Sequence, residues 1–197
     1  MPRIGHRPPP WDASIADEEL VARAQRGERE AFGALYDRYL PRVYAYCYRL
    51  LGEREAAEDA NTEVFMRTLS ALPAYHVGSF RSWLFAIAHN VVADEARRRR
   101  PTVPLTAAVD LPDLSPSLEE VAAARAERAA VLSLLPRLSE DQRQVVALRL
   151  SGLSAVEIGE ALGKPRNAID GIQHRALLRL RALVGTGETT VMGKGGG

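Results

Sequence analysis

The chain has 197 residues, of which 46% are hydrophobic and 26% charged, with a formal net charge of +1. That balance is ordinary for a folded globular protein and leaves no whole-chain basic excess, so any affinity for nucleic acid must come from a local patch. Cys47 is the only cysteine, which excludes an intrachain disulfide and fits a reducing compartment.

Residues 1–16 hold four of the 12 prolines and read as a disordered tail. "DEELVARAQRG" carries acids at its start and ends on Gly27, which predicts a short helix. Residues 29–51 predict one long helix or two, because Pro41 interrupts the pattern, and Gly52 stops it. "EREAAEDANTEVFMRTLSAL" predicts the next helix, ended by Pro73, and "SFRSWLFAIAHNVVADEARRRR" the last of a block spanning 17–100. Residues 101–116 hold four more prolines, Asp110 and Asp113, and no basic residue; they read as a flexible linker. A second block covers 117–184. Ser117-x-x-Glu120, Ser139-x-x-Gln142 and Ser154-x-x-Glu157 each fit a capping box, Gly152 and Gly163 supply stops, and a last helix starts at Pro165. Residues 185–197 read as a disordered glycine-rich tail. The apolar spacing is three and four throughout, with no period of two, so the expected fold is all-α: two small helical domains joined by the linker.

The helices expected at 154–162 and 165–184 are joined by a short turn with a glycine, the signature of a helix-turn-helix. Ile158, Ala161 and Leu162 give the first a buried face, and Gly159 is small enough for a close crossing. In the second, Ile169, Ile172, Ala176, Leu180 and Leu183 form the inward stripe. At ~100° per residue the opposite face carries Asn167, Gly171, His174 and Leu178, flanked by Asp170, Arg175 and Arg181; of these, Asn167, Asp170, Gly171, His174 and Arg175 lie toward the helix start. These are the candidate base readers, since the N-terminal part of such a helix enters the major groove. Lys164 and Arg166 are candidates for phosphate, as are Arg179 and Arg181. Residues 164–181 carry five basic residues and one acid, a local +4. A solvated basic helix would show the same charge run.

"LSEDQRQVVALRLSGLSAVEIGEALGKPRNAIDGIQHRALLRLRALV" resembles region 4, the C-terminal DNA-binding domain, of bacterial extracytoplasmic-function (ECF) sigma factors. "AEDANTEVFMRTL" looks like their region 2.2, and "FRSWLFAIAHNVVADEARRRR" like their regions 2.3 to 2.4. The resemblance runs over about 17–184. It implies a protein that binds RNA polymerase core and promoter DNA. Region 2 would dock on the polymerase and recognise and melt the minus-ten element; region 4 would read the minus-thirty-five element. Family members are commonly restrained by an anti-sigma factor, although no residue here announces one.

Laid on this sequence, the resemblance implies polymerase docking through Glu58, Asp59, Glu63 and Phe65, within a helix start that carries five acids between residues 53 and 63. An acidic face suits a basic protein partner and repels DNA; Phe65 also fits an ordinary core position. Capture of an unstacked strand needs exposed aromatic groups and cations. Tyr75, His76, Arg81, His89, Asn90 and Asp94 are the minus-ten candidates, and Arg97, Arg98, Arg99 and Arg100 a run that would track phosphates. Phe80 and Trp83 share a stripe with Leu84, Ile87 and Val91 and read as core. The sequence departs from the family pattern in three places. Thr62 stands where many members have glutamine, Asp170 and Gly171 where many have a basic residue and a serine, and Pro165 to Ala168 where many have S-x-x-T.

Other functions fit less well. A stand-alone helix-turn-helix regulator is the alternative, but it needs neither an acidic docking helix nor an arginine-ended one. No glycine-rich phosphate loop, cysteine–histidine pair or metal-spaced carboxylate cluster points to an enzyme, a cofactor or a metal. The proline-rich start is no signal peptide and no run approaches the ~18 apolar residues of a membrane span, so a cytoplasmic protein is expected.

Overall fold

The computed structural model describes residues 14–76, 78–98 and 132–191, with 185–191 as backbone. All regular structure among the described residues is helical. It comprises α1 (Asp17–Gln25), α2 (Arg29–Leu51), α3 (Arg54–Ala71), α4 (Phe80–Arg98), α5 (Glu140–Leu150), α6 (Ala155–Leu162) and α7 (Arg166–Val191). Short 3-10 turns at Leu72–Ala74 and Leu135–Arg137 each carry a proline.

The boundaries follow from local chemistry. Gly52 caps α2 with φ 74°, a left-handed conformation that suits glycine, and its N–H donates to the Tyr48 carbonyl at 2.9 Å. The expected capping boxes at Ser139 and Ser154 both form, each serine oxygen accepting from the backbone N–H three residues on while that residue's side chain returns to the serine N–H. The third, at Ser117, lies outside the described residues, as do the linker 101–116, Arg99 and Arg100.

Of the two readings of 29–51, one continuous α2 with Pro41 inside it is the one that forms. Three sequence expectations change. The last helix begins at Arg166, and the Pro165 carbonyl accepts from its first turn: from the Ala168 N–H at 2.9 Å and the Ile169 N–H at 3.3 Å. Residues 14–16 belong to the folded part, because the Ile15 carbonyl accepts from Arg38 Nη2 at 2.8 Å and Ile15 packs on the core. At the other end, α7 runs on to Val191, past Val184, so the backbone stays helical through Gly185 and Gly187.

The first block is the α1–α4 bundle. Leu20, Leu35, Tyr39, Val43, Tyr46, Val64, Phe80, Leu84 and Phe85 fill its centre. Ala56, Ala57 and Ala60 let α3 approach its neighbours closely. The second block is α5–α7, centred on Val145, Leu148, Leu153, Ile158, Ile169 and Ala176. The two are not separate cores. α4 lies against α6 and α2 against α5, and Val145, Ala147, Leu148, Leu153 and Ile158 join the same apolar cluster as the residues of the first block. Nothing in the hydrophobic pattern of either block announces that pairing.

Candidate nucleic-acid and polymerase interface

The helix-turn-helix is built on a close approach. The α6 C-cap, Gly163, has φ 63°, and the chain turns so tightly that Lys164 N–H donates to the Gly159 carbonyl at 2.9 Å. Ile169, Ile172 and Ala176 are buried, which turns the other face of α7 outward as expected. Arg166, Asn167, Asp170, His174 and Arg175 are exposed; Gly171 and Lys164 are half-exposed.

Several of these side chains already have local partners. Asp170 Oδ2 lies 3.7 Å from Arg166 Nε, Asn167 Oδ1 accepts from the Ala168 N–H at 2.9 Å, and Lys164 Nζ reaches Asp141 at 3.3 Å. Such exposed pairs are weak and exchange readily for a ligand. Arg166, Asp170 and His174 line one side of an open groove of about 480 Å³ between α7 and the start of α6. Its other wall adds Arg149, Ser154 and Val156, and Gln173 lies along α7. Arg149, Ser154 and Gln173 are absent from the sequence-based set. The available signal was Ser154, already marked as the N-cap of the first helix of the helix-turn-helix.

The minus-ten candidates divide by position. His76 and Asn90 are exposed. Tyr75 is half-buried, its ring 4.8 Å from Trp83 and 6.1 Å from Phe80, with its hydroxyl donating to the Gly78 carbonyl at 2.5 Å. Phe80 is core, as expected, and Trp83 packs partly exposed beside it. Asp94 is engaged by Arg97 and by Arg67, and those two hydrogen bonds hold its carboxyl below the usual range. It therefore orders α4 and the arginines more than it offers a free acceptor. Arg97 and Arg98 project into solvent, each with a carboxylate three residues back.

Arg81 and His89 face the second block. Arg81 Nη1 donates to the Gly152 carbonyl at 3.2 Å. Its Nε stands 3.7 Å from Glu157 Oε1. His89 lies near Glu140 and Lys164, and burial lowers its imidazole below the ordinary value.

Of the four docking candidates on α3, three are outward. Glu58 pairs with Arg54 at 2.8 Å, Glu63 pairs with Arg67 at 2.7 Å, and Asp59 is exposed. Phe65 is 6% exposed and packs edge-on against Tyr36, with centroids 4.7 Å apart, so it supports the face from beneath and cannot be its contact surface. The outward stripe instead carries apolar residues missed from sequence. Met66 is 60% exposed and Leu69 50%, and with Tyr36 they border the acids. Helical spacing from Asp59 through Thr62 to Met66 was the available signal.

Among the described residues no cluster of histidine, cysteine or carboxylate could hold a metal, and no helix is long and apolar enough to cross a membrane. Burial pushes the Cys47 thiol to about 12, which removes it as a nucleophile.

Comparison with known proteins gives one direction. Residues 35–102 match the family model for Sigma-70 region 2, and residues 134–182 that for Sigma-70, region 4. The chain is 38% identical over 185 residues to the ECF RNA polymerase sigma factor BldN of Streptomyces coelicolor, covering 91% of this chain and 70% of that one. It is 30% identical over 176 residues to the ECF RNA polymerase sigma factor SigW of Bacillus subtilis, covering 83% and 94%. The solved structure of CnrH in complex with the cytosolic domain of CnrY matches with a TM-score of 0.67 and 30% identity, covering 87% of this chain and 99% of that one.

Proposed function

The chain belongs to the ECF family of RNA polymerase sigma factors, non-enzymatic proteins that direct promoter recognition, and from that premise we propose how its surfaces share the work. Region 4 reads the minus-thirty-five element with the outward face of α7. Arg166, Asp170 and His174 line the groove, Asn167, Gly171 and Arg175 share the outward face beside it, and Lys164 and Arg149 hold the flanking phosphates. Region 2 captures the minus-ten strand with Tyr75, His76, Arg81, His89 and Asn90, and tracks its backbone with Arg97 to Arg100. The acidic and apolar stripe of α3, from Glu58 and Asp59 to Met66 and Leu69, docks on polymerase core.

One observation carries the reading. A capped helix-turn-helix leaves the expected readers of α7 on its outward face, with Arg166, Asp170 and His174 lining an open groove, while the inward stripe is buried to 6% exposure or less at Ile169, Ile172 and Ala176. A major-groove helix needs that division of faces. The work takes place where polymerase and promoter are, in the cytoplasm. CnrH is held by the cytosolic domain of CnrY, which supports a protein antagonist, an anti-sigma factor, for this chain as well.

The test is reconstitution. Purified core polymerase retains the full-length chain at low salt, and the holoenzyme selects from random genomic fragments a promoter set with shared minus-ten and minus-thirty-five elements. Run-off transcription from those fragments requires the chain. Failure to bind core at low salt removes the reading and favours a stand-alone helix-turn-helix regulator.

A further inference from the structure

The surface read as the minus-ten face is also the surface on which region 4 rests. At the start of α4, Ser79 Oγ donates to Glu157 Oε1 at 3.1 Å, and Arg81 Nε lies 3.7 Å from the same oxygen. Glu157 belongs to the first turn of α6 in region 4, and its side chain is only 18% exposed. Arg81 Nη1 reaches the Gly152 carbonyl in the turn before α6, and Arg49 Nη1 donates to Ser151 Oγ at 3.2 Å beside it. Behind Arg81 stands the Tyr39 hydroxyl, which donates to Asp17. One polar chain therefore links α1, α2, α4 and α6.

A carboxylate that takes a hydroxyl and a guanidinium from one loop–helix junction uses the groups that a phosphodiester would use there. We propose that Glu157 occupies, within the same chain, the position a promoter phosphate takes on Ser79 and Arg81, so that the chain alone is held closed and opens when the minus-ten strand displaces region 4. This rests on the reading of the start of α4 as a minus-ten contact.

The latch is built to be displaced. Charge-assisted hydrogen bonds close to about 2.7–2.9 Å, and the Arg81–Glu157 separation of 3.7 Å falls short of that. Arg81 Nε and Ser82 Oγ are buried without a hydrogen-bond partner among the described residues. Arg81 Nε faces Glu157, and a better-placed acceptor there would satisfy what Glu157 leaves open. Glu157 itself keeps its charge. Burial pushes its carboxyl up, but hydrogen bonds from the Ser154 N–H and hydroxyl, the Arg81 charge and the Ser79 hydroxyl outweigh that and leave it below the usual range.

Glu157→Gln tests this in the full-length chain. The amide oxygen can still accept from the Ser154 N–H, so the capping box and the fold are kept, which thermal melting checks. Spin labels at Asp37→Cys in region 2 and Leu178→Cys in region 4, both exposed, report the distance between regions; Cys47 is buried and escapes labelling. The unmodified chain gives one short distance. In Glu157→Gln that population falls about threefold or more, and affinity for a single-stranded minus-ten oligonucleotide without polymerase rises about fivefold. An unchanged distance distribution in Glu157→Gln overturns the latch and leaves the minus-ten reading standing. Arg81→Ala opens the chain and also loses the oligonucleotide. An opened Arg81→Ala chain with undiminished strand affinity overturns the minus-ten reading of Arg81, and the phosphate mimicry with it.

Discussion

The Lys164 carbonyl oxygen lies 2.7 Å from the point that a Cβ on Gly159 would occupy, while the Lys164 N–H donates to the Gly159 carbonyl at 2.9 Å. The turn of the helix-turn-helix is therefore closed onto a position where only hydrogen fits. Real Cβ atoms do not approach a backbone oxygen so closely, and backbone cannot swing aside as a flexible side chain can. Gly159→Ala should destabilise region 4 by about 1–3 kcal/mol despite the better helix propensity of alanine. Gly171→Ala is the control. There a Cβ meets only the end of the Arg175 side chain, at 3.4 Å, and the substitution should leave stability equal or raise it by up to about 1 kcal/mol. Chemical denaturation of both variants decides it: equal losses would mean that the turn relaxes around the added methyl.

Arg175 lies back toward Gly171, which places a guanidinium over bare backbone on the outward face of α7. If that guanidinium swings to a base edge and binds it bidentately, Arg175→Ala should cost about 1–3 kcal/mol on the selected minus-thirty-five element and little on unrelated DNA. A uniform loss on every sequence would assign it to phosphate. Gly171→Leu should keep the fold, since the position is half-exposed, yet abolish promoter binding by holding α7 off the groove. Fluorescence anisotropy with matched and scrambled duplexes reads both variants.

The helices and their ends were legible because each is set by neighbours in sequence. Ser139 and Ser154 with their third residues, Gly52 and Gly163 in left-handed caps, and the Ile169–Ile172–Ala176 stripe need no distant contact to be recognised. Pro41 left one helix or two open because its cost is local, while the packing of Tyr39, Val43 and Tyr46 on either side keeps α2 continuous. Phe65 shows a different limit. A helical wheel places it near the acids, but only the position of Tyr36 on another helix decides that its ring points inward. The meeting of Arg81 with Glu157 joins residues 76 positions apart across two blocks, and no periodicity encodes such a pair. Sequence therefore located the candidate surfaces better than it located which of their residues touch one another.

The α3 stripe gives a sharper docking test than its acids alone. Glu58 and Glu63 are exposed and each is half-neutralised by an arginine one turn away, so their truncation should change association rate and salt dependence more than the lifetime of the complex. Met66 and Leu69 are the large apolar side chains that solvent touches on this face. If they are desolvated against polymerase, Met66→Ala should weaken core binding by about 1–2 kcal/mol, carried by faster dissociation, with no change in melting temperature. Surface plasmon resonance against immobilised core separates the two rates. Unaltered dissociation in Met66→Ala with slower association in Glu63→Ala would confine the contact to charge.

His89 supplies the pH prediction. It is half-buried on α4 and faces Glu140 on α5 and Lys164 in the turn before α7. Burial lowers its imidazole, Glu140 opposes that and Lys164 adds to it. In the unfolded chain the group returns to about 6.5. Between the lowered folded value and about 6.5 the unfolded chain holds more protons, so stability rises with pH through that window and is lost as pH falls below about 6.5. The urea midpoint should therefore fall between about pH 7.5 and the folded value, and His89→Gln should flatten that limb while keeping the neutral-pH midpoint. Because the facing groups come from region 4, the spin-label distance should lengthen over the same window in the unmodified chain and not in His89→Gln. A midpoint that falls equally in both proteins would place the titrating group elsewhere, and not at Glu157. Its lowered carboxyl contributes stability that is present above its ordinary value of 4.5 and disappears only as pH drops beneath it.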